Sequence, residues 1–282
     1  NSNQTVMKKI ILFFFVIPFS ITAQEFQGKA YYMSKTILNT DFIKNIPPER
    51  RERVLSRMKS NSEKNYVLDF NTTSSLFKEE VQLEPTGGNQ RWSMFSSLGS
   101  NEGTVYRDIL SNAFISKQEL LGKTFLIKDT LTKSKWTMTG QTKKIGIYTC
   151  YNATQEVESE VRAIQFGRSS QRASENKDVP KKTKITTLSA WFTPEIPVAT
   201  GPSFYSGLPG LILEVSDDNR TILCTKVVLN PKEKIKIKAP KKGTVVNNEE
   251  FKKIQEDKIK EMREQFGRGR RQGGGNRIRI QN

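Results

Sequence analysis

Apolar and polar residues alternate with a period of two along most of this chain, the pattern of strands that bury one face. The run 26–38 is the first and longest. Tyr66-Val67-Leu68-Asp69-Phe70 then faces Ser75-Leu76-Phe77-Lys78 across the turn residues Asn71-Thr72-Thr73. The rhythm returns at 103–110, 113–120, 123–129, 135–140, 146–154, 184–193, 211–216 and 221–229, the last two joined by Asp217-Asp218-Asn219-Arg220. About ten short strands at regular spacing predict a mainly β fold. The expected architecture is an antiparallel curved sheet or half-barrel, with one inserted helix and one C-terminal helix.

Two segments break the strand rhythm. Pro47-Pro48-Glu49 opens a helix whose apolar positions, Val54, Leu55 and Met58, make one narrow face, as suits a helix laid over a sheet. Asn247 with Glu250 three residues on is a capping-box start for a peripheral helix over 247–266, where Phe251, Ile254, Ile259 and Met262 form a thin apolar stripe. Between strands and helices, 86–101 and 165–182 read as long polar loops. The Lys-Ile-Lys-Ile-Lys alternation within 232–242 reads as a charged, guarded edge strand. The stretch 267–282 is a basic Gly/Arg tail, too poor in apolar residues to pack, and is expected to be disordered.

The start of the chain carries a targeting signal. Met7-Lys8-Lys9 precedes the apolar run Ile10 to Ile17, and Pro18-Phe19-Ser20-Ile21-Thr22-Ala23 closes it, the layout of a secretory signal peptide cleaved after Ala23. The apolar run is shorter than the roughly 20 residues a spanning helix needs. Residues 1–23 are therefore set apart as signal peptide and upstream sequence, and 24–246 as one β-rich domain. The expected location is the periplasm or the outer-membrane surface, or the extracellular space.

Composition narrows the chemistry. The 282 residues hold 46 Lys plus Arg against 29 Asp plus Glu, a net charge of +17, and no histidine. Ser-His-Asp and Cys-His catalysis and imidazole metal sites are thereby excluded. No metal site and no cofactor are expected. Paired carboxylates are the one acid–base device left. Glu195 and Glu214 lie near the most distinctive segment, yet nothing in their spacing brings them together, and no catalytic residue is assigned. Asp217 and Asp218 read as turn formers rather than calcium ligands. Cys150 and Cys224 both lie in strand-like runs; an oxidising compartment permits them to pair, and two separately buried thiols are the other reading.

That distinctive segment is 190–215. A strand bearing Trp191 and Phe192 leads into Thr193-Pro194-Glu195-Ile196-Pro197-Val198, then Gly201-Pro202-Ser203-Phe204-Tyr205-Ser206, then Gly207-Leu208-Pro209-Gly210-Leu211-Ile212 and a second strand. Prolines 194, 197 and 202 hold the crossing extended, and its glycines permit turns and close approach. The hexapeptide Gly207 to Ile212 resembles the name-giving motif of the GLPGLI family, exported proteins found mostly in the Bacteroidota. Ala190-Trp191-Phe192-Thr193 with Pro194-Glu195-Ile196 is similar to its companion motif. Trp136, Thr139, Lys143-Lys144-Ile145, Tyr148-Thr149-Cys150 and Glu249-Glu250-Phe251 extend the likeness over about 26–262. The resemblance implies an exported protein with no established reaction, and it implies nothing about Cys224, the 165–182 loop or the Gly/Arg tail.

The functional expectation is a non-catalytic binding or carrier module of the cell envelope for an apolar or lipid-like ligand. Trp191, Phe192, Phe204 and Tyr205 would supply contact area, and Leu208 and Pro209 a rigid rim. The competing structural reading puts the same aromatics in the core. An accessory subunit that binds an outer-membrane barrel protein is the first alternative, and a carboxylate-dependent hydrolase the second. The basic tail suits an anionic envelope surface; nucleic acid is not an expected partner of an exported protein.

Overall fold

The computed structural model describes residues 26–37, 43, 46–80, 103–131, 134–160 and 183–272. The proposed leader, the whole of the 86–101 and 165–182 loops, and the tail from 273 onward lie outside the described residues.

Twelve strands form one sheet in the order β12-β6-β5-β4-β3-β2-β1-β11-β10-β9-β8-β7. Two meanders meet at its centre. The first runs from β1 (Gln27–Thr36) through β2 (Glu63–Asn71), β3 (Ser74–Glu79), β4 (Thr104–Asp108) and β5 (Ala113–Leu120) to β6 (Lys123–Thr130). The second is β7 (Thr137–Ile145), β8 (Tyr148–Glu160), β9 (Thr183–Thr193), β10 (Leu211–Ser216) and β11 (Arg220–Leu229). The antiparallel pairing of β1 with β11, Gly28 opposite Leu229 through Thr36 opposite Arg220, welds the two. Every pairing is antiparallel except that of β12 (Thr244–Val246), which runs parallel to β6. With β12 at one edge and β7 at the other the sheet is open, in accord with the curved mainly β sheet that the alternation predicts.

Local chemistry sets the turns. Asn71 Oδ1 accepts from the backbone N–H groups of Thr73 and Ser74 at 2.9 and 2.7 Å, and Asp217 Oδ1 from those of Asn219 and Arg220 at 2.7 and 2.8 Å. Both are Asx turns that close hairpins, and in the second Asp217 is spent on the turn. Among the described residues the two α-helices are α1 (Pro48–Ser62), opened by Pro47 and Pro48 with Glu49 in its first turn, and α2 (Asn248–Gln272). The α2 cap is reciprocal. Asn247 N donates to Glu250 Oε2 at 2.9 Å and Glu250 N to Asn247 Oδ1 at 2.8 Å, as the sequence signature requires.

Two expectations need correction. Residues 232–242 form no strand: Ile235 and Ile237 are half-buried between exposed lysines, but Ile235 gives its backbone N–H to the side chain of Gln27 at 2.9 Å and not to a neighbouring strand, and the segment runs irregularly until Thr244 joins β6. The C-terminal helix does not stop at 266 but continues to Gln272. Once a helix is nucleated each added residue gains a backbone hydrogen bond, and Arg268, Arg270, Arg271 and Gln272 are good helix formers that offset Gly267 and Gly269.

Three apolar clusters hold the fold. The largest gathers Tyr32, Tyr66, Leu68, Phe70, Phe77 and Val105 from the first meander with Cys150, Leu211, Leu213, Ile222 and Cys224 from the second. A second lies on β8–β10 and contains Ala153, Leu188, Ala190, Phe192, Ile212 and Val215. The third joins β5 and β6 to Val246 and Phe251, which seats α2. Tyr66 stacks on Phe77 at 4.8 Å between ring centroids, and Phe125 meets Phe251 edge-on at 5.4 Å.

Candidate functional site

The segment 194–210, which links β9 to β10, is fixed from end to end. Ile196 (0% exposed) and Val198 (2%) enter the largest cluster, and Leu208 (1%) enters the second. Leu211 N donates to Ile196 O and Ile212 N to Thr200 O, both at 3.0 Å, so the crossing bonds back onto the strand it launches. Thr200 Oγ1 lies 2.9 Å from Ser75 Oγ on β3. Since β3 is four places from β10 in the sheet order, a flat sheet would hold them about 19 Å apart. The crossing therefore spans the inside of a curved sheet. Trp136 fixes the far end, donating from Nε1 to Ser206 O at 2.8 Å.

The last glycine of the hexapeptide has a steric reason. A Cβ at Gly210 would lie 2.1 Å from Thr193 O, because the end of β9 and the start of β10 touch there. The strand that follows is irregular: pairing with β9 shifts between Ile212 and Glu214, which leaves Leu213 as an extra residue. This bulge turns Leu211 and Leu213 toward the main cluster while Ile212 and Val215 serve the second.

Beside the crossing, one face of β7–β10 carries polar groups in register. Lys143 lies opposite Cys150, Asn152 opposite Trp191, and Trp191 opposite Glu214. Lys143 Nζ is 2.7 Å from Glu214 Oε2 and 4.2 Å from the Trp191 ring centroid. The Glu214 side chain is only 16% exposed, so this ion pair works in a partly dry setting. Asn152 Nδ2 donates to Ser189 Oγ at 2.8 Å, and Thr139 Oγ1 lies 2.9 Å from Asn152 Oδ1. Glu195 Oε1 accepts from the Thr149 backbone N–H at 2.8 Å. Burial pushes the Cys150 thiol up to about 11; the Ile145 backbone and the Lys143 cation oppose the rise, while the carboxylates of Glu195 and Glu214 add to it.

Burial likewise pushes Cys224 up to about 12, with the charge of Cys150 adding to the effect. Cys150 and Cys224 are both free thiols inside the largest cluster, so of the two readings the structure holds the unbridged one.

The residues proposed for contact divide in two. Phe192 and Leu208 are core, packed against Ala190, Ile212 and Val215. Trp191, Phe204 and Tyr205 are half-buried at the cluster edges, and Pro209 is exposed. Within the hexapeptide Leu208, Gly210, Leu211 and Ile212 are buried, whereas Gly207 and Pro209 face solvent. Glu195 and Glu214 come to the same end of the sheet but each is engaged by its own donor, Thr149 N and Lys143 Nζ. Sequence reasoning singled out neither Asn152 nor Lys143 as a site residue. Both are signalled by parity, since cross-strand pairing puts them on the face of Trp191.

Among the described residues no group of three or more Cys, Asp and Glu side chains could hold a metal ion. No helix there is long and apolar enough to cross a membrane.

Among solved structures, the chain is similar to PNGF-II in its C2 and P21 crystal forms, at 13% and 14% identity with TM-scores of 0.48 and 0.46. These alignments cover 82% of this chain and 32% and 33% of PNGF-II, so the chain spans about a third of that protein's length. LprF from Mycobacterium bovis aligns over 77% of this chain and 90% of its own, at 7% identity and a TM-score of 0.26. No curated protein matches the sequence. Residues 136–214, which are β7 to β10 with the crossing and the polar face just described, match the family model "Protein of unknown function (Porph_ging)".

Proposed function

We propose that this chain is a non-catalytic binding module of the cell envelope, exported under the leader that ends at Ala23, which holds an apolar or lipid-like ligand at the rim of the crossing. One observation carries the reading. The crossing is locked to the sheet at both ends while Trp191, Phe204 and Tyr205 stay half-buried at its margin and Pro209 projects. A rigid margin bearing aromatic faces binds without first having to order itself. Phe192 and Leu208 support this margin from within the core, and the cation of Lys143 over Trp191 adds a polar handle at its edge. The carboxylates of Glu195 and Glu214 favour a holding role, because each is already engaged by a donor. The net charge of +17 suits work beside anionic envelope surfaces.

The test is extraction and mass analysis of material bound to protein purified natively from envelopes. The expected result is an apolar species in roughly stoichiometric amount, lost in a Trp191→Ala, Tyr205→Ala double variant. Purified chain that releases nothing to organic solvent would refute the reading.

A partner-protein role is the second reading, favoured by a different surface. Met138 (52% exposed), Tyr151 (43%) and Val157 (39%) stand on the side of β7–β8 that carries Ala153, beyond the part covered by Leu208. An envelope barrel protein recovered by cross-linking, and lost on Met138→Lys with Tyr151→Lys, would favour this role over the ligand.

A further inference from the structure

Arg107 is the largest fully buried side chain among the described residues, 2% exposed. Strand parity puts it there: Val105, two residues earlier on β4, shares its face and belongs to the main cluster. In the cross-strand row Ser75 of β3 lies on one side and Phe114 of β5 on the other. Arg107 therefore sits where the largest cluster gives way to the third.

Its hydrogen bonding is incomplete. Nη2 donates to Phe204 O at 2.8 Å, while Nε and Nη1 are buried with no partner. Those two nitrogens carry three of the five N–H donors of a guanidinium. Among the described residues no ion pair reaches Arg107. Burial pushes the group down to about 10, so it stays charged at neutral pH. An uncompensated charge inside a fold is strongly unfavourable and calls for a counter-charge.

The surroundings specify what that counter-charge rides on. Phe204 meets Phe114 edge-on at 5.2 Å, so aromatic carbon walls the guanidinium on one side. Phe204 is delivered by the turn 202–205, closed by Tyr205 N donating to Pro202 O at 3.1 Å, with Ser203 at φ 53°. A non-glycine residue in the left-handed region is costly and is often associated with function. On the other side stand the hydroxyls of Ser75 and Thr200.

We propose that Arg107 anchors a carboxylate-binding site inside the curved sheet, with Nε and Nη1 as free donors, the hydroxyls of Ser75 and Thr200 beside them, and Phe114 and Phe204 as its apolar wall. One planar anion matches one planar cation in charge and geometry. This site lies within the sheet and does not depend on the rim reading: the extraction above can fail while this holds.

The test uses the full mature chain, with acetate and octanoate as probes, followed by thermal unfolding and titration calorimetry. Octanoate is expected to bind and raise the unfolding temperature, with Arg107→Met weakening it at least about tenfold, which is about 1.4 kcal/mol. Arg107→Lys keeps the charge but loses the planar fork. It should bind measurably less tightly than the parent, and it carries the test if the methionine variant fails to fold. Response to octanoate alone assigns the carboxylate to an acyl-chain ligand, and equal response to acetate assigns it to a small free acid; either supports the site. No response to either probe, or an octanoate affinity unchanged by Arg107→Lys, overturns it.

Discussion

Glu195 Oε1 accepts a hydrogen bond from the backbone N–H of Thr149 at 2.8 Å, which ties the first turn of the crossing to the strand that carries Cys150. Glu195 follows Pro194, whose φ is fixed, and its own backbone N–H is 3.3 Å from Thr193 Oγ1, so the turn is already ordered and the bond costs little additional order. Glu195→Ala should therefore lower stability by about 0.5–1.5 kcal/mol, and Glu195→Gln, which keeps the accepting oxygen, by less. Urea titration of the three proteins checks this; equal losses for Ala and Gln would show that charge rather than the bond matters.

Gly210 and Gly207 make a matched pair in one turn. A Cβ at Gly210 would overlap Thr193 O at 2.1 Å, backbone against backbone, with no side chain free to yield. Gly207 has φ +88° but open space around it, its nearest neighbour being Trp136 Nε1 at 4.0 Å. Gly210→Ala should cost about 3 kcal/mol or more, as overpacking that forces the backbone apart, whereas Gly207→Ala should cost about 1 kcal/mol, for its conformation alone. Denaturant midpoints of the two variants decide the matter, and equal values would contradict the steric account.

How much of this was legible beforehand follows from the reach of each signal. Period-two alternation is local, so β1 to β11 could be placed from the sequence, and Asn71, Asp217 and the Asn247–Glu250 box declare their turns and cap through side chains only a few residues away. The three residues of β12 could not be placed: Thr244–Val246 is held by a parallel partner over a hundred residues earlier. The stiffness of the crossing was legible from its prolines, but which of its side chains turn inward depends on the bulge at Leu213 and on the curvature of the sheet, both set by distant pairing. Leu208 and Phe192 thus became core while Trp191 stayed at the margin. Arg107 was signalled only by sharing parity with Val105, a hint that acquires meaning once Phe204 O is found against it.

Lys143 and Glu214 give a third prediction. Their 2.7 Å pair is partly buried on the Glu214 side, and the ammonium also lies over Trp191. Lys143→Met should leave the carboxylate without its cation and reduce stability by about 1–3 kcal/mol, the cost of an unpaired charged acceptor. Changing both residues together, Lys143→Met with Glu214→Gln, should recover part of that loss. Denaturant titration of the single and double variants tests the coupling, and purely additive losses would show that the two side chains do not support each other.

The buried thiols give the last prediction, which concerns alkaline pH. Burial raises Cys150 to about 11 and Cys224 to about 12, from an ordinary value of 9.0. Tyr32, with its hydroxyl donating to Ile212 O at 2.7 Å, is raised as well by desolvation. Each group is neutral when protonated, and each gives up its proton more readily in the unfolded chain than in the folded one. The stabilisation they represent is therefore complete below pH 9 and is lost as pH rises through 11 to 12, because deprotonation then draws the chain toward the unfolded state. Guanidinium unfolding should give nearly constant stability from pH 7 to 8.5 and a steady fall above pH 9.5. The fall should be shallower in Cys150→Ala, Cys224→Ala protein. The same chemistry makes both cysteines unreactive toward a thiol reagent at pH 8 in the folded protein, since the attacking species is the thiolate; rapid labelling of either one without denaturant would contradict their placement in the core.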